Sequence, residues 1–134
     1  MRRNAEVLAV IAAGGVIGAE TRYGLDVLLR PGDVPSATLI ANAGGCFLIG
    51  VLMVLLLELT APHRLLRPFL GIGVLGGFTT FSAYTAEVHR LLDDGHLELA
   101  IGYLAAMPII AVSFAYAGTA LARSVIARRR GGHA

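Results

Sequence analysis

The sequence predicts an all-α membrane protein with four transmembrane helices. Residues 37–57, 69–86 and 99–122 carry no charge at all. A bilayer core about 30 Å thick is crossed by about 20 apolar residues in a helix, so each run is long enough to span. Composition agrees: 56% of the 134 residues are hydrophobic and 15% are charged, against roughly 25% charged in soluble domains. The connections at 30–36, 60–68 and 92–98 are too short to hold a soluble domain. Residues 1–134 therefore read as a single four-helix transmembrane domain.

The first helix has the shortest apolar run, 7–19, and continues past Glu20 and Arg22 to Leu29. Arg2 and Arg3 before it imitate a signal peptide. No polar region with a cleavage site follows, and three more spans do, so the segment is expected to be a retained helix. Gly14 and Gly18 are four apart, the small-xxx-small spacing that lets another backbone approach. Arg22 and Asp26 share a face and are placed to pair. This end reads either as a solvated helix end or as an arginine that draws anions to a vestibule.

The second helix puts Thr38 and Asn42 on one face. Asn42 brings two N–H donors and one acceptor to membrane depth. It serves either a helix–helix hydrogen bond or a passing anion. Ala41 and Gly45 keep that face open to close packing.

The third helix is expected to be broken over residues 76–80. Gly76 and Gly77, then Phe78 and the β-branched pair Thr79 and Thr80, make a poor helical stretch. A break frees carbonyls in mid-membrane, and free carbonyls there need partners such as a desolvated cation. The alternative is that the glycines serve packing alone. Phe81 and Tyr84 follow on one face, with Ser82 and Thr85 beside them. Ring edges are weakly positive and can line an anion path without a full charge. The fourth helix carries Tyr103, Ser113, Tyr116 and Thr119, with Pro108 placed to kink it.

All eleven basic residues are arginine. Four spans put Arg2, Arg3, Arg64, Arg67, Arg123, Arg128, Arg129 and Arg130 on one side, and Arg30 and Arg90 on the other. The positive-inside rule then places both termini in the cytoplasm. The single cysteine, Cys46, excludes an internal disulfide, and His63, His89, His96 and His133 lack metal-ligand spacing. No nucleophile–base–acid set and no phosphate loop are present, so the protein is not read as an enzyme.

These motifs carry a resemblance. Gly14-Gly15-Val16-Ile17-Gly18-Ala19 with Arg22-Tyr23, Thr38-Leu39-Ile40-Ala41-Asn42 with Gly44-Gly45-Cys46-Phe47 and Gly50, and the stretch from Gly73 to Ser82 follow in order. Along nearly its whole length the chain resembles the Fluc (CrcB) family of fluoride channels. The resemblance implies a prokaryotic plasma-membrane channel for passive fluoride efflux, which lowers fluoride toxicity. It implies an antiparallel dimer, of this chain with itself or with a related chain of opposite topology. It also implies two narrow fluoride pathways and a buried structural sodium ion. By position, the sodium falls to the main-chain carbonyls of Gly76 and Thr79. The fluoride pathway falls to Asn42, Thr38, Phe81 and Tyr84, with Ser82 beside them and Arg22 at the vestibule. The chain departs from the family at two places. Tyr84 stands where the family has a second phenylalanine, and the hydroxyl track of the fourth helix falls on Met107 and Ala111, with Ser113 on another face.

The chemistry agrees with this assignment. Fluoride is small, strongly hydrated and accepts hydrogen bonds only, so donors and weakly positive ring edges suit it. Fixed carboxylates repel it, and 37–57 and 69–86 contain none. The competing class is a small multidrug transporter, also built from four short helices. It needs a membrane-embedded carboxylate for proton exchange, and Glu20 is the single candidate, close to Arg22. The chain also has no Trp for an aromatic drug cage. A non-transporting assembly protein would leave Asn42 and the Gly76–Ser82 stretch without a purpose.

Overall fold

The computed structural model describes residues 2–29, 36–58 and 64–131. The expected connections at 30–36 and 60–68 lie largely outside the described residues. The described chain is all-helical. Helix α1 is Arg2–Leu29, α2 is Ser36–Glu58, α3 is Pro68–Leu75 prolonged by Gly76–Phe78, α4 is Phe81–Asp93 and α5 is Leu97–Gly131. Four stretches are long and apolar enough to cross a bilayer, namely Asn4–Leu29, Ser36–Leu57, Pro68–Asp93 and Leu97–Arg128.

Helix α1 lies on α3 through glycine. A Cβ on Gly14 would stand 2.5 Å from the Phe69 carbonyl oxygen, and one on Gly73 would stand 2.9 Å from Gly14 Cα. One turn on, a Cβ on Gly18 would collide with the Val74 carbonyl, and one on Gly77 with the Gly15 carbonyl. Backbone therefore meets backbone along the whole crossing, which needs small residues on both helices. Pro68–Leu75 is wound as a π-helix, opening with a proline whose missing N–H costs nothing in a first turn. The second close crossing joins α2 and α5, where Gly50 faces the Ala115 carbonyl and Gly118 faces the Phe47 carbonyl. Val54, Ala122 and Ile126 then form a small buried cluster with Val51 beside it.

The first crossing makes a test possible. Gly18→Val forces a side chain into a carbonyl that cannot move without its helix, whereas the Cβ of Gly15→Ala meets nothing within 4 Å. Overpacking typically costs about 1–3 kcal/mol. Thermal unfolding in detergent should show Gly18→Val clearly destabilised and Gly15→Ala close to wild type. Equal melting of the two variants would contradict the crossing.

Helix α4 ends on a left-handed glycine. Gly95 has φ 78, its N–H donates to the Leu92 carbonyl (3.1 Å), and the His96 N–H donates to the Leu91 carbonyl (2.8 Å). These paired bonds cap the helix and turn the chain into α5. Helix α5 has 35 residues, about 52 Å at 1.5 Å per residue, so it outruns the bilayer core. Its far end lies beside the end of α2, because Ile126 packs on Val54. Arg64 pairs with Glu6, which ties the start of α1 to the start of α3. Arg64, Arg67, Arg123 and Arg128 thus gather at one end of the bundle.

Candidate functional site

The site is organised around two residues that leave helical geometry. Thr79 (φ −82, ψ 149) and Thr80 (φ −147, ψ 126) are extended, between Phe78 and Phe81. Gly76 and Gly77 themselves are helical.

Asn42, on α2, holds this stretch by both sides of its amide. Its Nδ2 donates to the Thr80 carbonyl (2.9 Å), and the Thr80 N–H donates to its Oδ1 (2.8 Å). Asn42 is only 8% exposed, and each bond satisfies a backbone group that α-helical winding would have paired. The consequence falls on two carbonyls. In a continuous helix the Thr80 N–H turns to the Gly76 carbonyl, but here it goes to Asn42. The Ala83 N–H would likewise turn to the Thr79 carbonyl, but it donates to Thr80 Oγ1 (3.1 Å), the N-cap of α4. Gly76 and Thr79 therefore each lose the donor that a helix supplies. The Thr79 hydroxyl is spent elsewhere, donating to the Leu75 carbonyl (2.8 Å). Ser82 Oγ lies 3.1 Å from Thr80 Oγ1 and is exposed on the chain.

A second constellation lies on α4, α2 and α5. Thr38 Oγ1, 3% exposed, donates to Glu87 Oε1 (2.7 Å), and the Tyr103 hydroxyl donates to Glu87 Oε2 (2.7 Å). Glu87 is the first residue past the uncharged run 69–86, and its carboxylate reaches a threonine that the family resemblance places on the anion path. The Tyr84 ring meets Phe81 in a T-shape (5.6 Å between centroids, 60°) and Tyr103 at a tilt (5.4 Å, 56°). Phe81 is 76% exposed while Tyr84 is buried, so this aromatic row runs from the surface of the chain inward to Tyr103.

Tyr84 also answers Pro108. A proline has no N–H, so the carbonyl four residues before it, Leu104, has no donor within α5. The Tyr84 hydroxyl donates to it (2.7 Å). Tyr84→Phe should therefore expose a cost of about 1–3 kcal/mol for a carbonyl left unmet at membrane depth. Pro108→Ala restores the helical donor and should remove most of that cost. A double-mutant cycle on thermal stability checks this coupling, and additive effects would contradict it.

Arg22 makes none of these contacts. Its guanidinium bonds Asp26 (3.2 Å), and among the described residues its Nε is buried without a partner. Met107 is buried and Ser113 exposed, so the two occupy different faces of α5. The structure thus joins Asn42 to Thr80 and Ser82, and joins Thr38 to Tyr84 and Phe81 by way of Glu87 and Tyr103, with Arg22 apart. Sequence reasoning passed over Glu87 and the role of Thr80. For Glu87 the available signal was spacing: Tyr84 and Glu87 lie at i and i+3 on one helical face.

Comparison with known proteins gives one answer. Residues 9–119 match the family described as CrcB-like protein, Camphor Resistance (CrcB). Over 119 residues the chain is 49% identical to the Fluoride-specific ion channel FluC 2 of Nocardia farcinica, covering 87% of this chain and 85% of that protein. It is 44% identical over 131 residues to the Fluoride-specific ion channel FluC 1 of Streptomyces coelicolor, covering 96% and 85%. It is 40% identical over 125 residues to the Fluoride-specific ion channel FluC of Prosthecochloris aestuarii, covering 92% and 98%.

Proposed function

The chain belongs to the CrcB-like family, and on that footing we propose that it is a fluoride-specific ion channel, not an enzyme, that lets fluoride leave the cytoplasm passively. The observation that carries the reading is the buried amide of Asn42 beside an aromatic row at membrane depth. Neutral HF enters a cell from an acid exterior and ionises inside, and a passive path for the anion then lowers its toxicity.

Fluoride needs donors in place of its water. Asn42 has a second N–H beyond the one given to Thr80. The Phe81 and Tyr84 ring edges supply weak positive potential, and Thr38 and Ser82 supply hydroxyls. Arg22 draws the anion to the vestibule. The Thr38 and Tyr103 hydroxyls both donate to Glu87, so an anion reaches Thr38 only when the Glu87 carboxylate swings aside, since in place it repels fluoride.

The residues present also fit a structural cation. Gly76 and Thr79 offer main-chain carbonyls stripped of their helical donors, the kind of ligand that unwound membrane helices give to Na⁺. Bound there, sodium would neutralise carbonyl dipoles in the apolar interior and hold α3 and α4 in register. The break in the third span is thus read as a cation site.

An antiparallel partner completes the assembly. Ser82 is exposed on a membrane-spanning helix beside Phe81, and a hydroxyl turned to lipid is unfavourable, whereas the Thr85 hydroxyl already donates within its own helix. The arginines cluster at one end, which favours one orientation, with both termini cytoplasmic. The partner is then a related chain of opposite topology rather than a second copy. Expressed alone with a C-terminal reporter, the chain should give a signal only on the cytoplasmic side. Equal signals on both sides, with fluoride flux from the purified single chain, would contradict this and restore a homodimer.

Growth tests the function itself. Expression, with its partner if one is needed, should protect a fluoride-sensitive bacterium at acid external pH. Unchanged sensitivity at confirmed membrane expression would count against the proposal.

A further inference from the structure

We propose that the chain holds an anionic phospholipid in a groove between α2 and α3, with the headgroup phosphate on Arg67 and an acyl chain in the groove. The groove has a cavity of about 220 Å³ lined by Ile49, Leu52, Met53, Leu56, Gly71 and Ile72, with Arg67 also on its wall. Its lining is aliphatic apart from that one guanidinium.

Three observations point to a lipid. First, the groove has a charged end and an apolar body. Arg67 stands one residue before α3, at the end of the bundle where Arg64, Arg123 and Arg128 also lie, and the apolar residues continue from it into the span. That is the order of parts in a phospholipid. A free phosphate would leave the apolar body unused. Second, Arg67 has no carboxylate against it among the described residues, whereas its neighbour Arg64 pairs with Glu6. Arginine near a membrane surface attracts anionic headgroups, and its planar fork suits a phosphate. Third, the groove is kept open by glycine. A Cβ on Gly71 would meet only Leu52 Cδ2, at an ordinary 3.9 Å. No packing contact with another helix requires a glycine there, unlike Gly73 two residues on.

Native mass spectrometry from mild detergent tests the site, using phosphatidylglycerol and phosphatidylcholine with the same acyl chains. The wild-type protein should retain phosphatidylglycerol about fivefold better than phosphatidylcholine, the effect of one arginine at a headgroup. Arg67→Gln should abolish that preference. Arg128→Gln, which removes the same charge elsewhere on the same end, should leave it intact. Gly71→Leu fills the groove and should reduce retention of phosphatidylglycerol at least about fivefold with Arg67 unchanged. Equal retention of the two lipids by the wild-type protein would overturn the proposal without recourse to any variant. So would equal losses from Arg67→Gln and Arg128→Gln, which would mean a diffuse basic surface. A change of oligomeric state in Gly71→Leu, with no lipid retained by wild type, would give the groove to another protein chain instead.

Discussion

Asn42→Asp should reduce fluoride efflux from proteoliposomes by at least about 100-fold. A carboxylate within about 4 Å of an anion repels it by about 4 kcal/mol at an effective dielectric constant of 20, which alone exceeds that factor. The substitution is nearly isosteric, and it keeps half of the clamp on Thr80. The Thr80 N–H still finds an acceptor, while the Thr80 carbonyl loses the donor that Nδ2 supplies at 2.9 Å. Folding should therefore suffer by about 1–3 kcal/mol, a cost that stability measurements read independently of the flux. Size-exclusion behaviour read beside the flux separates the two roles of this residue. A monodisperse Asn42→Asp protein with efflux within about threefold of wild type would remove Asn42 from the pathway.

Gly76→Leu should break the assembly while sparing the single chain. A Cβ at Gly76 meets only the Gly71 carbonyl oxygen at 3.9 Å, so the isolated chain has room for it. Clash arises only if a partner lies against the Gly76 and Thr79 carbonyls. Overpacking costs about 1–3 kcal/mol, so association should weaken at least about fivefold, and fluoride flux should fall with it. Thr79→Ser should stay within about twofold of wild type in both, because the proposed ligand is the main-chain carbonyl and the retained hydroxyl can still bond Leu75. An intact dimer in Gly76→Leu would move the partner and the cation away from these carbonyls.

The spans were legible because charge alone delimits them. The uncharged run 37–57 became Ser36–Leu57, and 99–122 became the middle of Leu97–Arg128. Helix α5 runs on because Ala122 to Gly131 is rich in good helix formers, a continuation that a search for uncharged residues cannot see. The glycine pair drew attention to 76–80, yet Gly76 and Gly77 wind helically. The extended residues are the threonines after them, since Asn42, 38 residues away in sequence, bonds both backbone groups of Thr80, while the Thr79 N–H stays with the Leu75 carbonyl. Such long-range pairing leaves no periodic trace.

Glu87 was missed for a related reason. The run 69–86 ends one residue before it, so the carboxylate looked like a boundary. In space it reaches back to Thr38 on another helix. Pro108 was legible as a disturbance in the last helix. That a tyrosine from α4 would meet the carbonyl it orphans was not, because nothing in the local sequence of either residue names the other.

Anion flux from liposomes decides whether the protein conducts fluoride. Vesicles loaded with potassium fluoride or potassium chloride, carrying the purified protein with any partner it needs, are made permeable to potassium with valinomycin. Anion release is then followed by electrode with no proton gradient. A fluoride channel should give rapid fluoride release, with chloride retained at the level of protein-free vesicles. Fluoride release no faster than from protein-free vesicles, or transport that appears only as proton-coupled cation uptake, would contradict it.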